Sequence, residues 1–181
     1  MCVFDTGHAR KQYEAMSIEA PRWEIAWPEF GELCKRLALE VDALGRTLNL
    51  PNGRFDAIVG IARGGAIVGT TLAFMLNQEY FPIRLAKRGG VVRVLVPPTR
   101  DLADKHVLLV DDLSRTGETF KIAIHELRRV NVRSITTCAL VRREPGFKPD
   151  LAARTASAAD KVAFPWGREI VVDGKFEPRK L

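Results

Sequence analysis

Asp111 and Asp112 stand side by side, and Ser114, Arg115, Thr116, Gly117, Glu118 and Thr119 follow almost at once. Adjacent carboxylates suit the hydroxyls of a ribose or a hard cation such as Mg²⁺, which takes oxygen ligands. The hydroxyls of Ser114, Thr116 and Thr119 beside a glycine, where a helix opens, describe an anion site, because free N–H groups and the helix dipole favour negative charge there. Phosphate, diol and metal on one loop spell a phosphorylated sugar. Plain helix capping also uses Asp, Ser and Thr, but it needs neither an acid pair nor three hydroxyls with a glycine. A second constellation is Ala62, Arg63, Gly64 and Gly65. Its glycines let the backbone approach a phosphate closely, and Arg63 adds a fixed charge. Taken alone it reads equally as a helix start, and its position ahead of the acid pair gives it weight.

These residues need rigid elements behind them. The apolar run Val107–Val110 predicts a buried parallel strand ahead of the acids. Phe120, Ala123, Ile124 and Leu127 recur at helical spacing, so a helix follows through Arg129. Phe55–Ala62 reads as a second buried strand and Ala66–Asn77 as its helix. Phe30, Leu33, Leu37, Val41 and Leu44 give one apolar face to a packing helix over Pro28–Leu48. Tyr80–Ala86 and Val91–Val96 read as strands around a basic, flexible Lys87–Gly90, and Pro97–Lys105 as a polar loop. Arg133–Val141 is the next buried strand, ending at Arg142–Arg143. Trp23–Trp27 suggests a short strand, and Glu169–Pro178 a strand with a turn at Asp173–Gly174. The alternation predicts one α/β domain over 23–181, a mostly parallel sheet flanked by helices. Ligands of such sheets bind outside the carboxyl ends of the strands. Residues 1–22, poor in apolar side chains, read as a poorly ordered N-terminal extension.

A chain of 181 residues suffices for one sizeable core. No apolar run approaches the roughly 20 residues of a membrane helix, and the charged N-terminus lacks the apolar stretch of a signal peptide. Cys2, Cys34 and Cys138 lie far apart without metal spacing, which reads as free thiols in a reducing cytoplasm. The net charge of +6 suits either nucleic acid or a polyanionic small molecule. No nucleic-acid module or aromatic–basic repeat is visible, so the small molecule is preferred and neither nucleic acid nor membrane is expected as a partner. A homodimer or higher homo-oligomer is the base-rate expectation.

Strand, acid pair, S-x-T-G-x-T and helix together resemble the 5-phosphoribosyl-1-pyrophosphate (PRPP) motif of type I phosphoribosyltransferases. IVGIARGGAIVG resembles the pyrophosphate loop of the xanthine–guanine and hypoxanthine branch, in which the peptide before the arginine is often cis. The resemblance covers about residues 23–170. It implies the type I fold, with a flexible flap at 87–104 and a small C-terminal hood at about 142–181. It implies Mg²⁺-dependent transfer of phosphoribose from PRPP to a nucleobase-like heterocycle. PRPP would be held by Asp111, Asp112, Leu113, Ser114, Arg115, Thr116, Gly117, Glu118 and Thr119, with Asp111 and Asp112 also toward metal. Pyrophosphate would meet Ala62, Arg63, Gly64 and Gly65. Arg63, Arg115 and the flap cations Lys87 and Arg88 are the candidate catalytic residues. Arg142 stands where a lysine holds the exocyclic oxygen of a 6-oxopurine, and Val162 and Phe164 would lie on the nucleobase side. The chain departs from the branch at Arg115, which replaces an aspartate, and at Lys161, which replaces a stacking aromatic. Those departures keep a PRPP- or nucleotide-binding regulator as the alternative.

Overall fold

The computed structural model describes residues 22–178; apart from Arg22, the predicted N-terminal extension lies outside the described residues. The elements run β1 (Arg22–Glu24), α1 (Trp27–Thr47), β2 (Ala57–Ala62), α2 (Gly64–Leu76), β3 (Glu79–Arg88) and β4 (Val91–Val96). They continue as β5 (His106–Ser114), α3 (Glu118–Arg129), β6 (Ser134–Glu144), β7 (Leu151–Ser157), β8 (Lys161–Ala163), β9 (Glu169–Val172) and β10 (Lys175–Pro178). The described residues divide into two compact units, Ala26–Ala158 and a smaller one of residues 22–25 with residues 159–178.

The larger unit holds a six-stranded sheet in the order β4-β3-β2-β5-β6-β7. All pairs are parallel except β3 with β4. Strands buried on both faces need apolar residues at every position, and Val107–Val110 are all fully buried. One face carries Val59, Val107, Leu109 and Ala139 against Phe120, Ala123 and Leu127 of α3. On the other, α2 crosses β2 so closely that a Cβ on Gly69 would lie 3.2 Å from the Gly60 Cα. The amphipathic α1 buries Phe30, Leu33, Cys34, Leu37 and Val41. Burial pushes the Cys34 thiol up to about 12 and raises that of Cys138 as well, so both sulfurs behave as core.

Two expectations change, and the predicted flap takes the form of the expected strands. Residues 142–157 do not begin a hood: β6 runs on to Glu144, and β7 joins the sheet edge, pairing Cys138 with Leu151 through Glu144 with Ser157. Asp150 fixes that register, its Oδ2 accepting from the Thr137 N–H and hydroxyl at 2.7 Å each. The predicted flap is in its first part the β3–β4 hairpin, continuous with the sheet, where Leu85 pairs with Val94 and Lys87 with Val92. The expected polar loop Pro97–Lys105 holds a 3-10 turn that buries Leu102 completely. In the smaller unit β1 lies parallel to β8, and β9–β10 form a hairpin turning through Asp173 and Gly174 at positive φ.

Leu109 is 0% exposed, whereas Phe74 on α2 is 84% exposed. Leu109→Ala should therefore cost about 2–5 kcal/mol in urea unfolding. Phe74→Ala should stay within about 0.5 kcal/mol.

Candidate functional site

β2 sends its helix toward β3 and β5 sends its helix toward β6, so the order reverses between β2 and β5. Crevices at such a reversal receive ligands in α/β sheets. The β2–β5 ladder ends at Gly60 with Val110, while β5 stays paired with β6 as far as Ser114 with Arg142. Strand β5 thus runs past its predicted end and carries both acids within it. On its β2 side the backbone beyond Val110 is released from the sheet.

Across that gap the two constellations meet. A Cβ on Gly64 would overlap the Asp112 carboxylate. One on Gly65 would lie 2.7 Å from the Val110 carbonyl oxygen and 2.9 Å from Asp111 Oδ1. Only glycine admits so close a seat. The Ala62–Arg63 peptide is cis, as the resemblance implies. Arg63 is exposed and is the N-cap of α2 without a side-chain cap. Helix α3 also lacks one: its N-cap is Gly117, at φ 77°. The capping reading of this stretch therefore fails, and neither helix start has a side-chain cap for its first N–H groups.

The acids are held tightly. Asp111 is 7% exposed, and its Oδ1 accepts from the Asp112 N–H at 3.0 Å. Asp112 Oδ1 accepts from the Leu113 N–H at 2.9 Å. Burial raises the Asp111 carboxyl well above its ordinary 3.8, and the neighbouring Asp112 charge adds to the rise. Burial raises Asp112 too, opposed by hydrogen bonds from Asp111 and the Leu113 N–H.

Ser114 departs from expectation. It is 1% exposed, and its hydroxyl is already engaged, donating to the Phe147 carbonyl at 2.9 Å. Residues 113–120, Ser114 among them, line a cavity of about 370 Å³ with Leu85, Ala86, Lys87 and Val92 of the hairpin. Lys87 reaches this cavity, where its Nζ meets Glu118 Oε2 at 2.7 Å. Arg88 ends β3, and its side chain lies outside the described residues. Arg115 is exposed. Arg142 stands beside Ser114 in the sheet, with its Nε donating to Thr155 Oγ1 at 2.9 Å and its Nη2 paired with Glu144 at 2.8 Å. In the smaller unit, Val162 pairs with Trp23, and the Phe164 ring stacks on Trp166 at 4.9 Å. A larger, mostly aliphatic cavity of about 590 Å³ includes Leu39, Phe55, Ile58 and Met75. It lies toward the amino end of β2, away from these groups.

The phosphoribosyl transferase domain model matches residues 26–170. The chain belongs to the phosphoribosyltransferase family. Among its relatives, the orotate phosphoribosyltransferase of Sulfurisphaera tokodaii is 28% identical over 123 residues, 65% of this chain and 62% of that one. A transcriptional regulator, GfcR 2 of Methanosarcina acetivorans, is 27% identical over 129 residues, 66% of this chain and 63% of that protein. The chain thus spans less than two thirds of either relative's length. In fold it is similar to a purine phosphoribosyltransferase from Pyrococcus horikoshii, with TM-score 0.71 and 24% identity over 84% of this chain and 98% of that one. The α/β architecture is that of the type I phosphoribosyltransferases, with helices on both faces of a mostly parallel sheet.

Sequence reasoning missed Phe147, which touches the loop after β5 from outside. The signal available was an aromatic directly after Pro145 and Gly146 in an otherwise polar connection. It also missed that Glu118 would take Lys87 as its partner.

A carboxyl whose pKa is higher folded than unfolded favours the fold below its unfolded value and loses that contribution as pH rises through the raised value. With chelator present, urea stability should fall as pH climbs from 3.8 through the raised Asp111 value. Asp111→Asn keeps the Oδ1 acceptor and should flatten that profile, being more stable than wild type at neutral pH. Parallel profiles for the two proteins would contradict the burial argument.

Proposed function

We propose that this chain transfers the 5-phosphoribosyl group of PRPP to a ring nitrogen of a nucleobase-like heterocycle and releases pyrophosphate. The observation that carries this is the seating of Gly64–Gly65 on Asp111–Asp112. It joins an uncapped, cationic loop to an acid pair across one crevice, which suits a ligand with anionic ends and a diol between them.

In this reading the N–H groups and hydroxyls of Thr116–Thr119 grip the 5′-phosphate at the start of α3. Asp111 and Asp112 hold the ribose hydroxyls. Ala62–Gly65 receive pyrophosphate, with Arg63 supplying charge. The hairpin's Lys87 and Arg88 add cations, Lys87 by exchanging Glu118 for a phosphate oxygen. The base nitrogen bonds to C1 as the C1–oxygen bond to pyrophosphate breaks, and the base gives up its N–H proton to solvent. The chain's contribution is alignment and the charge set against the leaving group.

Mg²⁺ fits as a shared rather than a resident ion. Among the described residues no cluster of three or more His, Cys, Asp or Glu side chains could cage it. Mg²⁺ commonly binds through one or two carboxylates together with substrate phosphates and water, which is what the acid pair offers. When bound it supplies positive charge to the departing pyrophosphate.

The acceptor is the open half of the reading. Arg115 cannot serve as a general base near neutral pH, with a pKa of roughly 12 or more, but it can donate to a ring acceptor. We assign the base end to Arg115 and Arg142, and retain Val162 and Phe164 as base-side candidates on the resemblance. Two buried free thiols, Cys34 and Cys138, suit a reducing cytoplasm. A homodimer is part of the proposal, supported by the exposed apolar Leu39 and Met75.

A second reading, a PRPP-binding regulator without turnover, is favoured by Arg115 in place of an acid and by the likeness to a transcriptional regulator. With PRPP and Mg²⁺, a panel of purines, pyrimidines and azoles should include at least one that drives pyrophosphate release. PRPP binding with no release from any base would favour the regulator, and no binding would remove both. In the same assay Arg115→Asp should gain activity on 6-oxopurines; unchanged base preference would contradict the position given to that side chain.

A further inference from the structure

The loop that closes on the phosphate-gripping turn from behind belongs to another part of the chain. Between β6 and β7, the Phe147 N–H donates to the Arg115 carbonyl at 2.8 Å, and the Phe147 carbonyl accepts from the Ser114 hydroxyl at 2.9 Å. A Cβ on Gly146 would overlap the same Arg115 carbonyl. The Phe147 ring stacks on Phe120 with centroids 5.2 Å apart and planes at 20°. A Cβ on Gly117 would come within 2.5 Å of that ring. Residues 114, 115, 117 and 120 are therefore all set against one side chain and its backbone.

This engages two polar groups of the turn that lines the cavity. The Ser114 hydroxyl and the Arg115 carbonyl both bond to Phe147, and residues 113–120 together line the cavity. Gly117, at φ 77° with no side chain of its own, has little to hold it in place. The ring against it supplies that restraint. The two hydrogen bonds fix the height of the strand end, and the stacked pair fixes the first turn of α3.

We propose that Phe147 is a positioning residue for the phosphate end of the ligand: it sets the curvature of Ser114–Phe120 and so the aim of that turn's N–H groups. The inference rests on the phosphosugar reading above and adds a residue to it. It predicts a local effect. The pyrophosphate loop at Ala62–Gly65 has its own contact, with the acid pair, and does not depend on the ring. Ordinary core packing would instead lower the affinity of both ends together or of neither.

The test is calorimetry of wild type, Phe147→Ala and Phe147→Tyr with two probes, ribose 5-phosphate and Mg²⁺-pyrophosphate. An aromatic pair is worth enough that its loss should weaken ribose 5-phosphate about threefold to tenfold. Pyrophosphate affinity should hold within about twofold on the same energy scale. Phe147→Tyr, which keeps the ring, should restore wild-type affinity. If the alanine variant does not fold, Phe147→Leu, apolar but without a ring, is read against the same bounds. Equal losses for both probes, or no loss for ribose 5-phosphate, would overturn the inference while leaving the phosphosugar reading intact. Wild-type protein that binds neither probe would remove the reading and the inference together.

Discussion

Two glycines resting against two carboxylates is the constraint on which the rest of the molecule turns. Gly64 and Gly65 open α2 where β2 ends, and Asp111 and Asp112 continue β5 after β2 has left it. The strands are neighbours, so their loops must share one crevice, and no side chain larger than hydrogen fits at the contact. A loop suited to anions is thereby placed beside anions. That arrangement is costly in the free protein: burial pushes both carboxyls above their ordinary range, and the Asp112 charge raises Asp111 further. A ligand that brings hydroxyls or a shared cation to the acids, and phosphate to the glycines, satisfies both at once.

The walls of this crevice differ in how firmly they are held. The turn after β5 is tied from behind to the β6–β7 connection by hydrogen bonds and a stacked aromatic pair. The β3–β4 hairpin contributes its exposed Lys87–Glu118 pair to the front. Exposed ion pairs contribute only about 0–1 kcal/mol. A phosphate can therefore take Lys87 from Glu118 at little cost, while the turn itself keeps its shape. Rigid seat and exchangeable cation suit a site that must receive one charged group and release another.

Much of this was legible in the sequence, because strand ends and helix starts leave local marks. The apolar runs before Asp111 and before Arg63 located both loops, and the resemblance of IVGIARGGAIVG to a pyrophosphate loop implied the cis peptide at Ala62–Arg63. What the sequence hid depends on contacts between distant segments. Ser114 looks like a phosphate ligand by type and spacing, but β5 runs on through it, and its hydroxyl finds a carbonyl 33 residues away. Residues 151–157 fall within the expected hood, yet they join the sheet as its edge strand, and Asp150 with Thr137 supplies the register. Arg142 was placed by its strand end, but its guanidinium is engaged by Thr155 and Glu144, partners that spacing alone does not reveal.

The claim that the loops after β2 and β5 hold a single ligand can be read directly from amide NMR during titration with PRPP and Mg²⁺. The account predicts that the N–H signals of Gly64 and Gly65 shift together with those of Thr116 through Thr119 and saturate with one common Kd. Shifts confined to one loop, or two loops saturating at different concentrations, would contradict it.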